Sequence, residues 1–173
     1  DQFPAALRHV SLVRLVASVG AGGVLYLTPI VFHQEAFSAQ AVTQGLALAA
    51  LAGTLGRLLS GALVDRGLAC SIPVLLASVA AVLGDLRLVG TASFGGYVQG
   101  MLLMGIAAGL YWPAVELAVP LGSDSGPAPI PSARGYALAR SADAAGIATG
   151  ALLGALLAAA GQLRGIYLID IGC

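Results

Sequence analysis

The sequence contains no lysine and little charge of either sign. Only 9% of its 173 residues are charged, and eight arginines balance eight acidic residues to give zero net charge. Soluble domains carry roughly 25% charged residues, so this chain is not expected to be one. Because it has no basic face, we do not expect it to bind nucleic acid.

Residues for covalent or metal chemistry are also scarce. Cys70 and Cys173 are too few for a disulfide framework and lack metal-ligand spacing. The two histidines, His9 and His33, flank opposite ends of the first apolar segment. A membrane protease or metal enzyme needs a serine facing a histidine, or clustered ligands at depth. We therefore expect no cofactor, no metal and no enzymatic activity.

Long apolar segments dominate the remaining sequence, which is 58% hydrophobic with a mean hydropathy of +0.93. A helix needs about 20 apolar residues to cross the hydrocarbon core. The predicted fold is an all-α membrane protein, a six-transmembrane-helix bundle in one domain over 1–173. The predicted spans are 10–32, 39–64, 68–90, 97–121 and 136–160, with an incomplete sixth at 165–173. Because the chain starts at Asp1 and stops within an apolar run, we expect a fragment at both ends.

Arginine positions predict the orientation of these spans. With a cytoplasmic N-terminus, six arginines lie at or near inner ends, and only Arg87 and Arg164 lie outside, as the positive-inside rule favours. High alanine and glycine content without lysine indicates a GC-rich bacterial genome. We therefore expect a multi-pass protein of the plasma (inner) membrane, with the lipid bilayer as a partner.

Five charged residues lie inside the predicted spans near one end. At 1.5 Å per residue they sit roughly 5–12 Å inside the inner boundary. A charge near the membrane centre costs about 2–3 kcal/mol unless it is paired or hydrated. We therefore predict a cytoplasmic charge network. It acts either as a gate or as a set of permanent ion pairs that hold the helices of the bundle together. Its members are Arg14, Arg57, Glu116, Arg140 and Asp143.

Glycines recur at four-residue spacing in two spans. This spacing lets helix backbones approach closely in lipid, where van der Waals packing rather than the hydrophobic effect joins helices. The predicted packing positions are Gly105 and Gly109 in the fourth span, and Gly146, Gly150 and Gly154 in the fifth.

The connection between the second and third spans reads "SGALVDRG" and holds an adjacent acid and base, Asp65 and Arg66. An interfacial turn with snorkelling charges is one interpretation. The stretch also resembles the loop signature of the major facilitator superfamily, roughly G-x-L-x-D-R-x-G-R. Gly61, Leu63, Asp65 and Arg66 match it. Leu68 stands where that family has glycine, and Ala69 and Cys70 replace its basic residues.

Two further stretches carry the resemblance, which covers nearly the whole chain. "GIAAGLYWPAVELAVP" at 105–120 is similar to the family's fourth helix, with Met101 where an arginine linked to proton coupling often stands. The fifth span resembles the family's antiporter motif, with Ala151 in place of its proline. The resemblance implies the N-terminal half of a secondary active transporter that moves a small solute by alternating access. Its partner is the missing C-terminal six-helix half, and Asp65 and Arg66 support the outward-open state.

In that family the first and fourth helices line the substrate cavity. The residues here that would line it are Tyr26, Gln99, Met101, Met104, Tyr111 and Trp112. Ordinary packing or an interfacial belt is the alternative for the aromatic members. We expect no buried acid or base at the midplane, which slightly favours an apolar or weakly polar small-molecule substrate.

Other functions remain open at this point. The departures in the loop motif allow a non-transporting membrane sensor or assembly subunit that retains the fold. A channel would need a line of polar groups along a pore, and none is visible. If the chain contains only these six spans, two copies would have to pair.

Overall fold

The computed structural model describes residues 3–173, which form six α-helices. The first two residues of the predicted domain lie outside this range. The helices are α1 (Ala5–Gln34), α2 (Ala39–Asp65), α3 (Ser71–Gly90), α4 (Phe94–Ser123), α5 (Ser132–Ala159) and α6 (Gly165–Gly172). Helices α1 to α5 are long and apolar enough to cross a membrane. The prediction of an all-α protein with several membrane-length helices is confirmed.

Local capping explains where several helices begin and end. Ser38 Oγ accepts a hydrogen bond from the Ala41 N–H at 3.1 Å and starts α2. Gly67, at φ +82°, ends it, with the Leu68 N–H bonded to the Leu63 carbonyl in a Schellman motif. This turn delays α3 until Ser71, whereas the sequence predicted residue 68.

Helices α1 and α5 also begin before their predicted first residues. Helix α1 begins at Ala5 rather than residue 10, and α5 begins at Ser132 rather than residue 136. The predicted bounds followed the apolar residues alone, whereas the backbone hydrogen bonds continue through the polar residues beyond them.

The helices pack as two interleaved groups of three. Helices α2 and α3 pack chiefly on α4, and α1 packs chiefly on α5 and also contacts α6. We call these sets the α4 group (α2, α3, α4) and the α1 group (α1, α5, α6). Contacts of α1 with α4, α3 with α6 and α4 with α5 join the groups, and we call this boundary the seam. Exchanging α1–α3 with α4–α6 in order maps the main contacts onto one another: α2 with α4 becomes α5 with α1, and α3 with α4 becomes α6 with α1.

Glycines bring backbones together within each group. In the α4 group, a Cβ added at Gly105 would overlap the Ala49 backbone, and one at Gly109 would overlap Gly53. In the α1 group, a Cβ at Gly146 would overlap Leu15, and one at Gly150 would overlap Val19. Gly154 lies against the Leu27 and Ile166 side chains. Four of the predicted packing glycines thus join α4 to α2 and α5 to α1.

The outer surface of the bundle is strongly apolar. Leucines on α1, α2, α3 and α5 are 62% to 69% exposed. Soluble proteins rarely expose large contiguous apolar patches, whereas a bilayer accepts them. These leucines are Leu25, Leu51, Leu55, Leu58, Leu75 and Leu152.

Candidate functional site

The candidate site is a charge network centred on Arg14, which is completely buried. Its Nε donates a hydrogen bond to Asp143 Oδ1 at 3.0 Å, and its Nη2 contacts Asp143 Oδ2. Ser18 Oγ also donates to Asp143 Oδ1, at 3.2 Å. Because Arg14 and Ser18 lie one turn apart on α1, both reach the same carboxylate on α5. This part of the network lies within the α1 group.

Glu116 extends the network across the seam from α4. Its Oε1 accepts a hydrogen bond from Arg14 Nη2 and forms an ion pair with Arg140 Nη2, each at 3.0 Å. The two arginines and two carboxylates give a formal charge of zero, which limits the cost of burying them. Glu116 is 29% exposed, so water reaches the one acid that the α4 group contributes.

Several buried polar groups beside Arg14 have no partner. Arg14 Nη1, Ser11 Oγ and Tyr111 Oη accept or donate no hydrogen bond among residues 3–173. The Arg14 guanidinium also lies 5.5 Å from the centre of the Trp112 ring, within the range of a cation–π interaction. The pocket around Arg14 therefore has unused hydrogen-bonding capacity that water or a polar ligand can satisfy.

A recess of about 390 Å³ opens beside this network. Arg57, Trp112, Pro113, Glu116 and Arg140 line it. Arg57 was predicted as a network member, but it is exposed and forms no ion pair with residues 3–173. It instead adds an unpaired positive charge to the wall of the recess.

The loop motif lies apart from the network. Asp65 and Arg66 are exposed, and neither side chain forms an ion pair within the described part of the chain. Leu63 is half-buried, and a Cβ added at Gly61 would have no other atom within 4 Å. The structure thus does not join the predicted gating loop to the predicted charge network.

The six predicted cavity residues lie in several different surroundings. Tyr111 and Trp112 lie beside the network, with ring centroids 5.4 Å apart. Met101 is buried in the core, and Met104 contacts Gly84 of α3. Tyr26 is 58% exposed. Gln99 is exposed, and its Oε1 accepts from Arg87 Nε at 3.0 Å.

The structure also contains a buried acid that the sequence did not point to. The side chain of Asp85 on α3 is completely buried. Asp170 of α6 faces it. Sequence inspection missed this pair because both acids stand near the ends of apolar segments, where a charge usually faces water.

Comparison with protein-family models finds no match, and comparison with curated proteins finds no significantly similar sequence.

Proposed function

We propose that the chain is the N-terminal half of a major facilitator-type transporter, which moves a small solute across a bacterial inner membrane by alternating access. The main support is the exchange symmetry of the packing, in which α1–α3 and α4–α6 occupy equivalent places. Because each set has three helices, the second set runs through the bundle in the opposite direction. Inverted three-helix repeats within each six-helix half are typical of that transporter class.

Some ion pairs of the charge network can form in one state of the transporter and break in the other. Arg14 and Asp143 belong to one group, whereas Glu116 comes from the other and holds both Arg14 and Arg140. Glu116 is also the network acid that water reaches most easily. Movement along the seam would release Glu116 and leave the Arg14–Asp143 pair intact, which makes Glu116 the gating contact.

The recess offers a place for the second six-helix half. Arg57 and Arg140 contribute two positive charges against the one negative charge of Glu116. An acidic side chain from the second half would pair with Arg57 in the state that closes this end. Asp65 and Arg66, exposed on the neighbouring connection, would contact the same partner surface.

The test is solute uptake by vesicles that contain the complete protein. Proteoliposomes are incubated with a small-molecule extract, and mass spectrometry identifies the solutes that enter in a saturable way. We expect such uptake for wild type and a reduction of about tenfold for Glu116→Gln, since a hydrogen bond to a charged group contributes about 1.5–3 kcal/mol. Asp124→Asn is the matched control, because Asp124 is exposed beyond α4.

A non-transporting sensor or assembly subunit is the second candidate. The separation of Asp65 and Arg66 from the charge network favours it, since a loop without ion pairs in this half is less able to control a gate. Folded protein that moves no solute in the uptake experiment would select this candidate and reject transport.

A further inference from the structure

Asp85 on α3 is a buried acid without a counter-charge. Its side chain is 0% exposed, and neither carboxyl oxygen meets a hydrogen-bond donor among residues 3–173. An ionised carboxylate in such a place loses its hydration and gains nothing in return, at a cost of several kcal/mol. The site therefore requires a positive species at Asp85.

Asp170 on α6 supplies a second carboxyl group at the same place. It interacts directly with the Asp85 side chain. Its backbone and Oδ1 lie against Gly20, where any side chain on α1 would overlap them. Gly20 is near the middle of α1 (Ala5–Gln34), so Asp170 lies deep in the bundle. Two carboxyl groups in contact cannot both be ionised, and a shared proton relieves their repulsion.

The neighbouring groups provide no cation for this pair. The closest arginine along α6, Arg164, donates to the carbonyls of Leu88, Val89 and Thr91 and to Glu35 Oε1, at 2.8–2.9 Å. Arg87 on α3 is exposed and bonds Gln99. The remaining titratable neighbours are neutral phenols and a thiol.

The two phenols are held by other contacts. Tyr167 on α6 contacts Thr28 Oγ1 on α1 at 3.2 Å, and Tyr97 on α4 donates to the Val42 carbonyl at 2.8 Å. Cys173 follows α6. No group of three or more His, Cys, Asp or Glu residues in the described range is arranged to hold a metal ion. Two carboxyls are also few for Mg²⁺ or Ca²⁺, which take six or more oxygen ligands.

We propose that Asp85 and Asp170 form a proton-binding site on the seam, where one proton is shared between α3 and α6. Loss of that proton leaves two facing negative charges and drives the α4 group and the α1 group apart. The proton site rests on the burial of Asp85, on its unpaired oxygens and on the packing of α3 against α6. Its use as the coupling ion rests on the proposed transport function.

The test is infrared spectroscopy of the purified protein near neutral pH. Ordinary exposed carboxyl groups are ionised there, since their pKa is about 4. We expect wild type to retain the C=O stretch of one protonated carboxyl group per chain, which shifts in D₂O. The double variant Asp85→Asn/Asp170→Asn should remove this signal and each single variant should shift its frequency, whereas Asp124→Asn should leave it unchanged.

Three results would overturn the proposal. The first is the absence of the signal from wild type, and the second is its unchanged survival in the double variant. The third is its removal by sodium at constant pH, which would make the pair a sodium site. If the double variant does not fold, an unshifted signal in both single variants would contradict the proposal instead. The spectrum can be recorded without any solute. If the pair is protonated but the protein takes up no solute, the transport proposal is rejected and the proton site is retained.

Discussion

At the scale of single residues, the charge of Arg14 depends strongly on its neighbours. It is completely buried, and its charge is met by carboxylates from two other helices. Removing one partner of a buried ion pair is costly because the other charge stays behind without hydration. Replacing both partners by apolar groups removes that penalty.

The first prediction follows from this asymmetry. Arg14→Leu should lower the free energy of unfolding by about 3–5 kcal/mol, since Asp143 would remain buried and unpaired. The double variant Arg14→Leu/Asp143→Leu should recover most of that loss. Unfolding of the protein in mixed detergent micelles measures both changes.

Arg57→Leu is the matched control for this series. Arg57 is exposed and forms no ion pair among residues 3–173, so its replacement should change stability by no more than about 0.5 kcal/mol. Equal losses for Arg14→Leu and Arg57→Leu would show that the network does not stabilise the bundle.

The residue scale also separates what the sequence could predict from what it could not. Counting depth along each span identified the paired residues Arg14, Glu116, Arg140 and Asp143. It also named Arg57, which points away from the bundle and has no ion pair among residues 3–173. Asp85 lies only five residues before the end of α3, so its direction decides its environment. Helix α3 is apolar on nearly every side, and such a helix gives no pattern from which its rotation can be read.

At the scale of helices, glycine contacts define which pairs are rigid. α4 meets α2 through Gly105 and Gly109, and α5 meets α1 through Gly146 and Gly150. In each case the neighbour is a backbone atom, which cannot rotate away as a side chain can. Close backbone packing of this kind is the main attraction available between helices in lipid.

The second prediction concerns one of these contacts. Gly150→Leu should destabilise the protein by about 3 kcal/mol, near the upper end for overpacking, because the Val19 backbone blocks the new side chain. Thermal denaturation in detergent measures the change. Gly95→Ala is the control, since a Cβ at Gly95 meets nothing within 4 Å. Similar losses in the two variants would contradict this account of the α1–α5 contact.

Glycine spacing indicated the contacting face of each helix but not its partner. The same four-residue period in α4 and α5 is compatible with any neighbour that has small residues. The choice of α2 for α4 and α1 for α5 depends on Gly53, Gly56 and Gly22, which supply the opposing surfaces. Which helices pair depends on the surfaces of both partners, so the sequence of one helix cannot predict its partner.

At the scale of the whole molecule, both polar sites lie on the seam. Glu116 crosses it to Arg14 and Arg140, and Asp85 crosses it to Asp170. The backbone contacts of Gly105, Gly109, Gly146 and Gly150 lie inside the groups. The bundle therefore has tightly packed interiors and a boundary held partly by ionisable groups, whose strength depends on protonation and hydration.

The third prediction concerns the orientation of the bundle. Cys70, in the connection between α2 and α3, should be on the cytoplasmic side with the N-terminus. In a Cys173→Ser background, a membrane-impermeant maleimide should label Cys70 in broken cells and not in intact spheroplasts. A cysteine placed at Gly90, at the opposite end of α3, is the control and should be labelled in both preparations. The reverse pattern would place the N-terminus outside.

The interleaving of the two groups has a consequence for biosynthesis. Arg14 emerges from the ribosome 102 residues before Glu116 and 129 residues before Asp143. At roughly 5–20 residues per second, α1 waits on the order of 5–25 s for these partners. During that time the insertion machinery, rather than the bundle, must shield a cation on an apolar segment. Membrane insertion of α1 is therefore completed only when α5 has been synthesised.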